Sequence, residues 1–497
     1  MSIYQWDDWG VISAAALLLW IPFSIWLFTV ERPVRAAAHS VVWSFMWLPE
    51  GAAFDLPLLP PFSKYTIGAM CALFGLWWKA PKRIKAARVG RGYDWIIYIY
   101  MLAQIGTVLT NPDPLHYGTY KTIDLPGFTP YDGLSAAVRV LFTVALPCVL
   151  GRALLRSRRD LIDILTILTV GGLVYSLPIF YELRMSPMLH ENIYGFNPRE
   201  DWSQNLRGGG YRATVFMGHG LVVGFFMFIS AISAVALQRA GKKSMFGVPM
   251  GLVVLFLFAM LVLCKAVAAI LYGVIGYVFL RFFSAKNTMR MVVVLALIVI
   301  SYPISRMFEI FPVKEILSAA ETLGPERVQS LEFRFDNEDL LLAKGSERLW
   351  FGWGGFNRER VYDAESAKDL VIQDGQWIAV FGTQGLIGFC CYFALMVLPV
   401  LRARKQMRRI KRRDDQVLLA GFGYLVVICA VNMLPNMHLP YLQFIFALGF
   451  SALMLEVPRE EALERSQSMQ PRATPKETSR PRSRSESMRA PATNPRV

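Results

Sequence analysis

FGVPMGLVVLFLFAMLVLCKAVAAILYGVIGYVFLRFF, residues 246–283, decides the fold: it is apolar almost end to end and is interrupted at its middle only by Cys264-Lys265. A single helix of this length would run to about 57 Å at about 1.5 Å per residue, well beyond the roughly 30 Å of a bilayer's hydrocarbon. The run therefore doubles back as two spans, 246–263 and 265–283, with Lys265 at the turn. Ten further runs of comparable character lie near 10–30, 64–79, 93–110, 133–151, 160–181, 213–237, 290–306, 376–401, 416–434 and 438–456. The expectation is an all-α, polytopic integral membrane protein with about 12 spanning helices, in a range of about 11 to 13, and one large periplasmic loop.

Composition agrees. A chain of 497 residues that is 54% hydrophobic is too evenly apolar for a soluble multidomain protein. The run from Gly10 to Val30 has no small-residue cleavage site behind it, so it reads as an anchor and not a removed signal peptide. The formal charge of +15 raises nucleic-acid binding, but the Lys and Arg cluster just outside apolar runs, at Lys79–Arg91, Arg152–Arg159, Arg239–Lys243, Arg281–Arg290 and Arg402–Arg413. Short basic loops of this kind mark the cytoplasmic side of a membrane protein. No nucleic-acid partner is expected. The segments 111–132, 182–212 and 307–375 then lie outside, which in a bacterial chain is the periplasm.

The segment 31–62 carries Glu50, Asp55 and several prolines, all costly in lipid, and reads as re-entrant or interfacial. That gives twelve helices with both ends inside; thirteen, with the amino terminus outside, is the alternative. The expected organisation is 1–306 for spanning helices one to nine or ten, 307–375 for the large periplasmic loop, 376–456 for three C-terminal helices, and 457–497 for a disordered basic cytoplasmic tail suited to solvent or to anionic membrane lipid. Six cysteines in or beside apolar runs read as small core residues, and five scattered histidines lack ligand spacing, so neither a metal nor any other cofactor is expected.

Chemistry concentrates outside the spans. Between Phe308 and Asp374 stand 14 Asp and Glu against 8 Lys and Arg, an acidic balance that suits export. Within it, PERVQSLEFRFDNEDLLLAKG (325–345) reads as a helix, with Pro325 in the first turn, a partial apolar face of Leu331, Phe335, Leu340 and Leu341, and Gly345 as a stop. ERLWFGWGGFNRER (347–360) sets Trp353 and other aromatics among Gly352, Gly354 and Gly355, then Arg358 and Arg360. Aromatics stack on sugars or anchor at an interface, and arginines grip phosphate. Asp374 precedes the helix at Gln376-Trp377, where it is either an N-cap or a carboxylate able to take a proton from a sugar hydroxyl. In LRGGGYRATVFMGHG (206–220), Arg212 and His219 share a helix face if the helix begins at 213. Gly208–Gly210 fits either an anion-binding nest or a plain loop. Lys265, a lone cation at the outer turn, either snorkels to headgroups or binds an anion.

RATVFMGHG (212–220), Lys265 opening a helix, FRFDNEDLLLAKGSERLWFGWGGFNR (333–358) and DGQWIAVFGTQGLIGF (374–389) together resemble the O-antigen ligase and polymerase-like family of bacterial envelope glycan enzymes. The resemblance covers roughly 205–392. It implies an enzyme of the inner (cytoplasmic) membrane that acts at the periplasmic face on glycan linked to undecaprenyl pyrophosphate, transferring it to a sugar or glycolipid acceptor. The family pattern has a basic residue at the outer end of a mid-chain helix, matched by Lys265, and an arginine early in the large loop, matched by Arg334 with Arg348 as rival. Its third position is a histidine, where this chain has Asp374. That departure points away from a strict lipopolysaccharide ligase and toward a polymerase-like member for exopolysaccharide or capsule.

The implied mechanism is metal-independent: Lys265, Arg334 and one of Arg358 or Arg360 hold the pyrophosphate, and Asp374 activates the acceptor hydroxyl. Arg212, His219, Arg348 and Trp353 complete the expected substrate-binding set around one shared periplasmic cavity. Two other readings compete. A lipid-linked oligosaccharide flippase would carry charge along its spans. A scaffold would recruit other envelope-polysaccharide assembly proteins through its tail.

Overall fold

The computed structural model describes residues 6–55, 59–198, 205–207, 209–322, 324–436 and 442–469. Apolar runs become helices because a helix satisfies every backbone N–H and C=O internally, as lipid demands. In chain order they are α1 (Trp6–Val30), α2 (Pro33–Trp47), α3 (Lys64–Lys79), α4 (Pro81–Ala86), α5 (Asp94–Leu109), α6 (Pro130–Val140), α7 (Leu146–Leu154), α8 (Arg158–Met185) and α9 (Leu189–Tyr194). There follow α10 (Gly220–Arg239), α11 (Met250–Leu263), α12 (Val267–Phe282), α13 (Ala285–Met307), α14 (Val313–Glu321), α15 (Pro325–Ser346), α16 (Gln376–Met407), α17 (Arg413–Asn432) and α18 (Leu442–Met469). A π-helical turn, Leu141–Ala145, joins α6 to α7 just ahead of Pro147. The only strands among the described residues form four two-stranded hairpins in the connections.

Eight of these helical stretches are long and apolar enough to cross a membrane: α1 from Gly10, α6 with α7, α8, α10, α13, α16, α17 and α18. The helices α5, α11 and α12 are apolar but shorter. The chain is a helical, multi-pass membrane protein. The 246–283 run does split, into α11 and α12, with Cys264 and Lys265 at the turn between them. At the centre, α10 and α17 are buried almost throughout and pack on each other, α10 also against α8, α11 and α12.

Residues 33–47, within the segment expected to be re-entrant or interfacial, form α2, a largely buried helix packed against α1, α3 and α8. Its prolines cause no break because Pro33 opens the helix, where no N–H bond is lost, and Pro49 falls beyond its end. The two ends of α2 meet opposite ends of α8: Arg32 pairs with Asp163, while Glu50 N–H donates to His190, which follows α8. The helix expected from 213 begins only at Gly220, with His219 as its N-cap. The last helix runs on to Met469, past the expected boundary at 456, because Glu461 accepts the N–H groups of Lys411 and Arg412 and ties those turns to the bundle. Residues 470–497, Gly208 and His438 lie outside the described residues.

One end of the bundle is stapled by charge. Arg32–Asp163, Arg83–Asp160, Arg152–Asp94, Arg156–Glu456 and Arg158–Asp415 link the basic connections expected to share a side. Every candidate site residue lies at the other end.

Candidate functional site

The helix α15 runs from Pro325 as expected, and its packing on α16 sets the site. Arg334 on α15 faces Asp374 just before α16, Nε to Oδ2 at 3.6 Å, with the two side chains 40% and 44% exposed. An ion pair this open contributes roughly 0–1 kcal/mol. It is packing of the two helices, not mutual attraction, that brings them together. Asp374 is not the N-cap: that position is Gly375, and no side chain caps the helix.

The pair stands at the exposed rim of a cavity of about 250 Å³. Its walls are largely apolar, formed by Phe311, Leu331, Leu341, Ile378 and Leu434, with Asn337 and Glu338 as further polar lining. Glu338 lies one turn beyond Arg334. Its Oε2 accepts from Tyr302 Oη at 2.7 Å and Arg306 Nε at 3.1 Å, and its Oε1 accepts from Trp377 Nε1 at 3.2 Å. Arg306 also donates to Asp339 Oδ1 at 2.7 Å and to the carbonyl of Phe335 at 3.1 Å. Burial raises the Glu338 carboxyl above its ordinary value, against the lowering influence of Tyr302 and Arg306. This network ties α13, α15 and α16 into one frame beneath the Arg334–Asp374 pair.

Sequence reasoning passed over Glu338 and Arg306. Arg306 carried a usable signal, since it is a cation at the end of an apolar run away from the basic connections, as Lys265 is. Glu338 carried none, being one of many carboxylates in its loop.

Arg212, His219 and Lys265 form a second group. They are not among the residues lining the cavity, so the structure does not join them to Arg334 and Asp374 in one pocket. Because α10 starts late, Arg212 and His219 share no helix face. Instead Arg212 lies over Gly220, where a Cβ would come within 2.5 Å of its Cγ and Cδ, and His219 Nδ1 accepts the N–H of Leu221 at 2.9 Å. Lys265 adopts a left-handed φ of 52° that aims it at Gly210, where a Cβ would sit 2.9 Å from Nζ.

Arg348, Trp353, Arg358 and Arg360 form a third group with a different task from the substrate contacts expected of them. Arg358 is fully buried, donating to the carbonyls of Pro126 at 2.8 Å and Asp113 at 2.9 Å, which leaves no face for a phosphate. Arg348 pairs with Asp113 at 3.1 Å and Arg360 with Asp369. Trp353 is buried, donates to the carbonyl of Lys344 at 2.7 Å and is flanked by Lys344 and Arg348. Arg348 and Arg358 lock the 347–372 segment to the 111–129 connection, while Arg360 ties the segment to itself and Trp353 ties it to α15.

The same segment seals a broken helix. At Gly385, φ is 62°, and α16 is interrupted there. The N–H groups of Trp353 and Gly354 bond the carbonyls of Gly382 and Thr383, at 2.9 and 2.8 Å, so the break leaves those carbonyls satisfied.

Among the described residues, no three His, Cys, Asp or Glu side chains gather as a metal site. The chain matches no protein-family model and no curated protein. The arrangement itself offers an exposed carboxylate beside a guanidinium, on the rim of an apolar cavity at the end of the bundle opposite the basic connections.

Proposed function

We propose that the chain is a membrane glycosyltransferase of the polymerase or ligase type. It moves glycan from undecaprenyl pyrophosphate to a sugar or glycolipid acceptor at the periplasmic face of a bacterial inner membrane, in exopolysaccharide, capsule or O-antigen assembly. The observation that carries this reading is the meeting of Arg334 and Asp374 beside a cavity with apolar walls. An amphiphilic donor needs both an apolar surface and a cation, and an acceptor hydroxyl needs a base.

In the transfer, the acceptor oxygen attacks the anomeric carbon and the bond from that carbon to the pyrophosphate oxygen breaks. Asp374 takes the hydroxyl proton and Arg334 stabilises the charge that develops on the departing pyrophosphate. Inversion at the anomeric carbon follows from a single displacement. Lys265 and the buried Arg212 add positive charge at the same end of the bundle.

The topology that accompanies this reading has thirteen passes. The helix α2 counts as one, so that α1 begins outside and every basic connection faces the cytoplasm.

Asp374→Asn and Arg334→Ala, each expressed at the normal level, are expected to lower product by about 100-fold or more, the scale of a lost general base or charge stabiliser. Carrier-linked glycan is expected to accumulate in both. Accumulated single repeat units identify a polymerase, and accumulated full-length chains a ligase. Undiminished polymer length and yield in both variants would overturn the assignment.

A further inference from the structure

The segment from Arg212 to His219 is composed so that it could extend α10, yet it is held out of helix by buried groups from two other helices, α8 and α3. Glu182, at the end of α8 and 0% exposed, accepts the N–H groups of Thr214 and Val215 with Oε2, each at 2.8 Å, and that of Leu189 with Oε1 at 3.1 Å. Tyr175 Oη accepts the N–H of Phe216 at 3.1 Å. Lys64, 1% exposed, donates to the carbonyl of Phe216 at 2.7 Å and pairs with Glu50 Oε2 at 2.8 Å. Glu50 in turn lies against Gly218, where a Cβ would come within 2.6 Å of its Cγ.

The held conformation is a strained one. Val215 is β-branched and fully buried, and its φ is 45°, a region that such side chains avoid. Burying a carboxylate and an ion pair is a poor way to stabilise a bundle, because apolar side chains of similar volume commonly do as well or better. What these groups achieve is placement. The turn they hold sets Arg212 over Gly220, beside the turn that carries Lys265: Gly224, one turn into α10, packs against Ala266.

We propose that Glu182 and the Lys64–Glu50 pair are positioning residues for a second pyrophosphate-binding site, apart from the Arg334–Asp374 cavity, formed by Arg212 and Lys265. The ligand class rests on the functional reading above, while the positioning rests on the hydrogen bonds to the turn. Unfolding the turn into a helix would rotate Arg212 away from Lys265 and separate the two cations.

The test uses the full-length protein in lipid nanodiscs, titrated with farnesyl pyrophosphate, with amide hydrogen exchange followed in parallel. Glu182→Gln is expected to speed exchange at residues 214–216 with the rest of α10 unchanged, and to weaken binding about tenfold, the usual scale for a group that orients a ligand-binding side chain. Arg212→Ala is expected to weaken binding, and the double variant to bind no more weakly than Arg212→Ala alone, because both act through the same guanidinium. Should Glu182→Gln not fold, Tyr175→Phe, which removes one acceptor and keeps the ring, is read in the same way. Faster exchange with unchanged affinity overturns the proposal, as do effects that add in the double variant. Absence of binding by the unsubstituted protein overturns the pyrophosphate reading itself, an outcome distinct from binding that ignores the variants.

Discussion

Glu359 carries a carboxyl into the packed 347–372 segment, where it is 5% exposed and rests against Gly382 of α16. Burial raises it above the ordinary carboxylate value; its own backbone N–H and Arg360 oppose that shift, and Asp369 adds to it. A carboxyl whose folded value is raised binds its proton more tightly in the folded state, so its contribution to stability is full below about pH 4.5 and is lost as pH rises through the folded value. Glu359→Gln is therefore expected to melt higher than the parent at neutral pH, with the difference shrinking toward about pH 4 in thermal scans of the detergent-solubilised protein. At this scale the sequence was legible where a residue's place along the chain marked it. Asp374 and Arg334 stand at a loop edge and on a predicted helix, and both proved to face each other. Arg348, Arg358 and Arg360 looked equally suited to phosphate, but a basic residue read from sequence carries no record of whether a carbonyl or carboxylate already occupies it.

Among the elements, α15 was readable from Pro325 onward, since a proline at a first turn and an apolar face three and four residues apart are local properties. The glycines of 352–355 stood out among aromatics in the sequence, though nothing there marked them as the seal of a broken helix. A Cβ at Gly385 would come within 2.5 Å of the Phe351 nitrogen and the Trp350 carbonyl, at a φ of 62°. Gly385→Ala is expected to destabilise the protein by about 2 kcal/mol or more, through a strained backbone and a displaced Trp350–Phe351 turn. Chemical denaturation followed by Trp fluorescence checks the loss, and faster proteolysis within 347–372 locates it. By contrast, the start of α10 was misread. Residues 213–219 are apolar enough to be helical, and only the acceptors on α8 and the lysine on α3 hold them otherwise.

Across the whole molecule, the ion pairs at one end make a second class of prediction. Arg152 and Asp94 are both nearly buried and lie 2.8 Å apart. Asp94→Asn is expected to cost about 3 kcal/mol by leaving Arg152 unpaired, and the Asp94→Leu, Arg152→Met double variant to recover most of it, as a denaturation-based mutant cycle would show. The path of α2 gives a test of topology. In a background whose native cysteines are replaced, Gly51→Cys is expected to react with a membrane-impermeant maleimide on intact cells, and Arg35→Cys only after permeabilisation. Reaction of both from one side would restore the re-entrant reading and twelve passes. The sequence by itself determined that the chain is helical and built for a membrane, and where most helices run, because hydropathy and proline placement act through neighbours in the chain. Only the tertiary structure decided that α2 passes alongside α8, that Glu182 and Lys64 hold the Arg212 turn, and that Arg334 meets Asp374. These depend on which distant groups a buried donor or acceptor finds, and buried polar groups must find one.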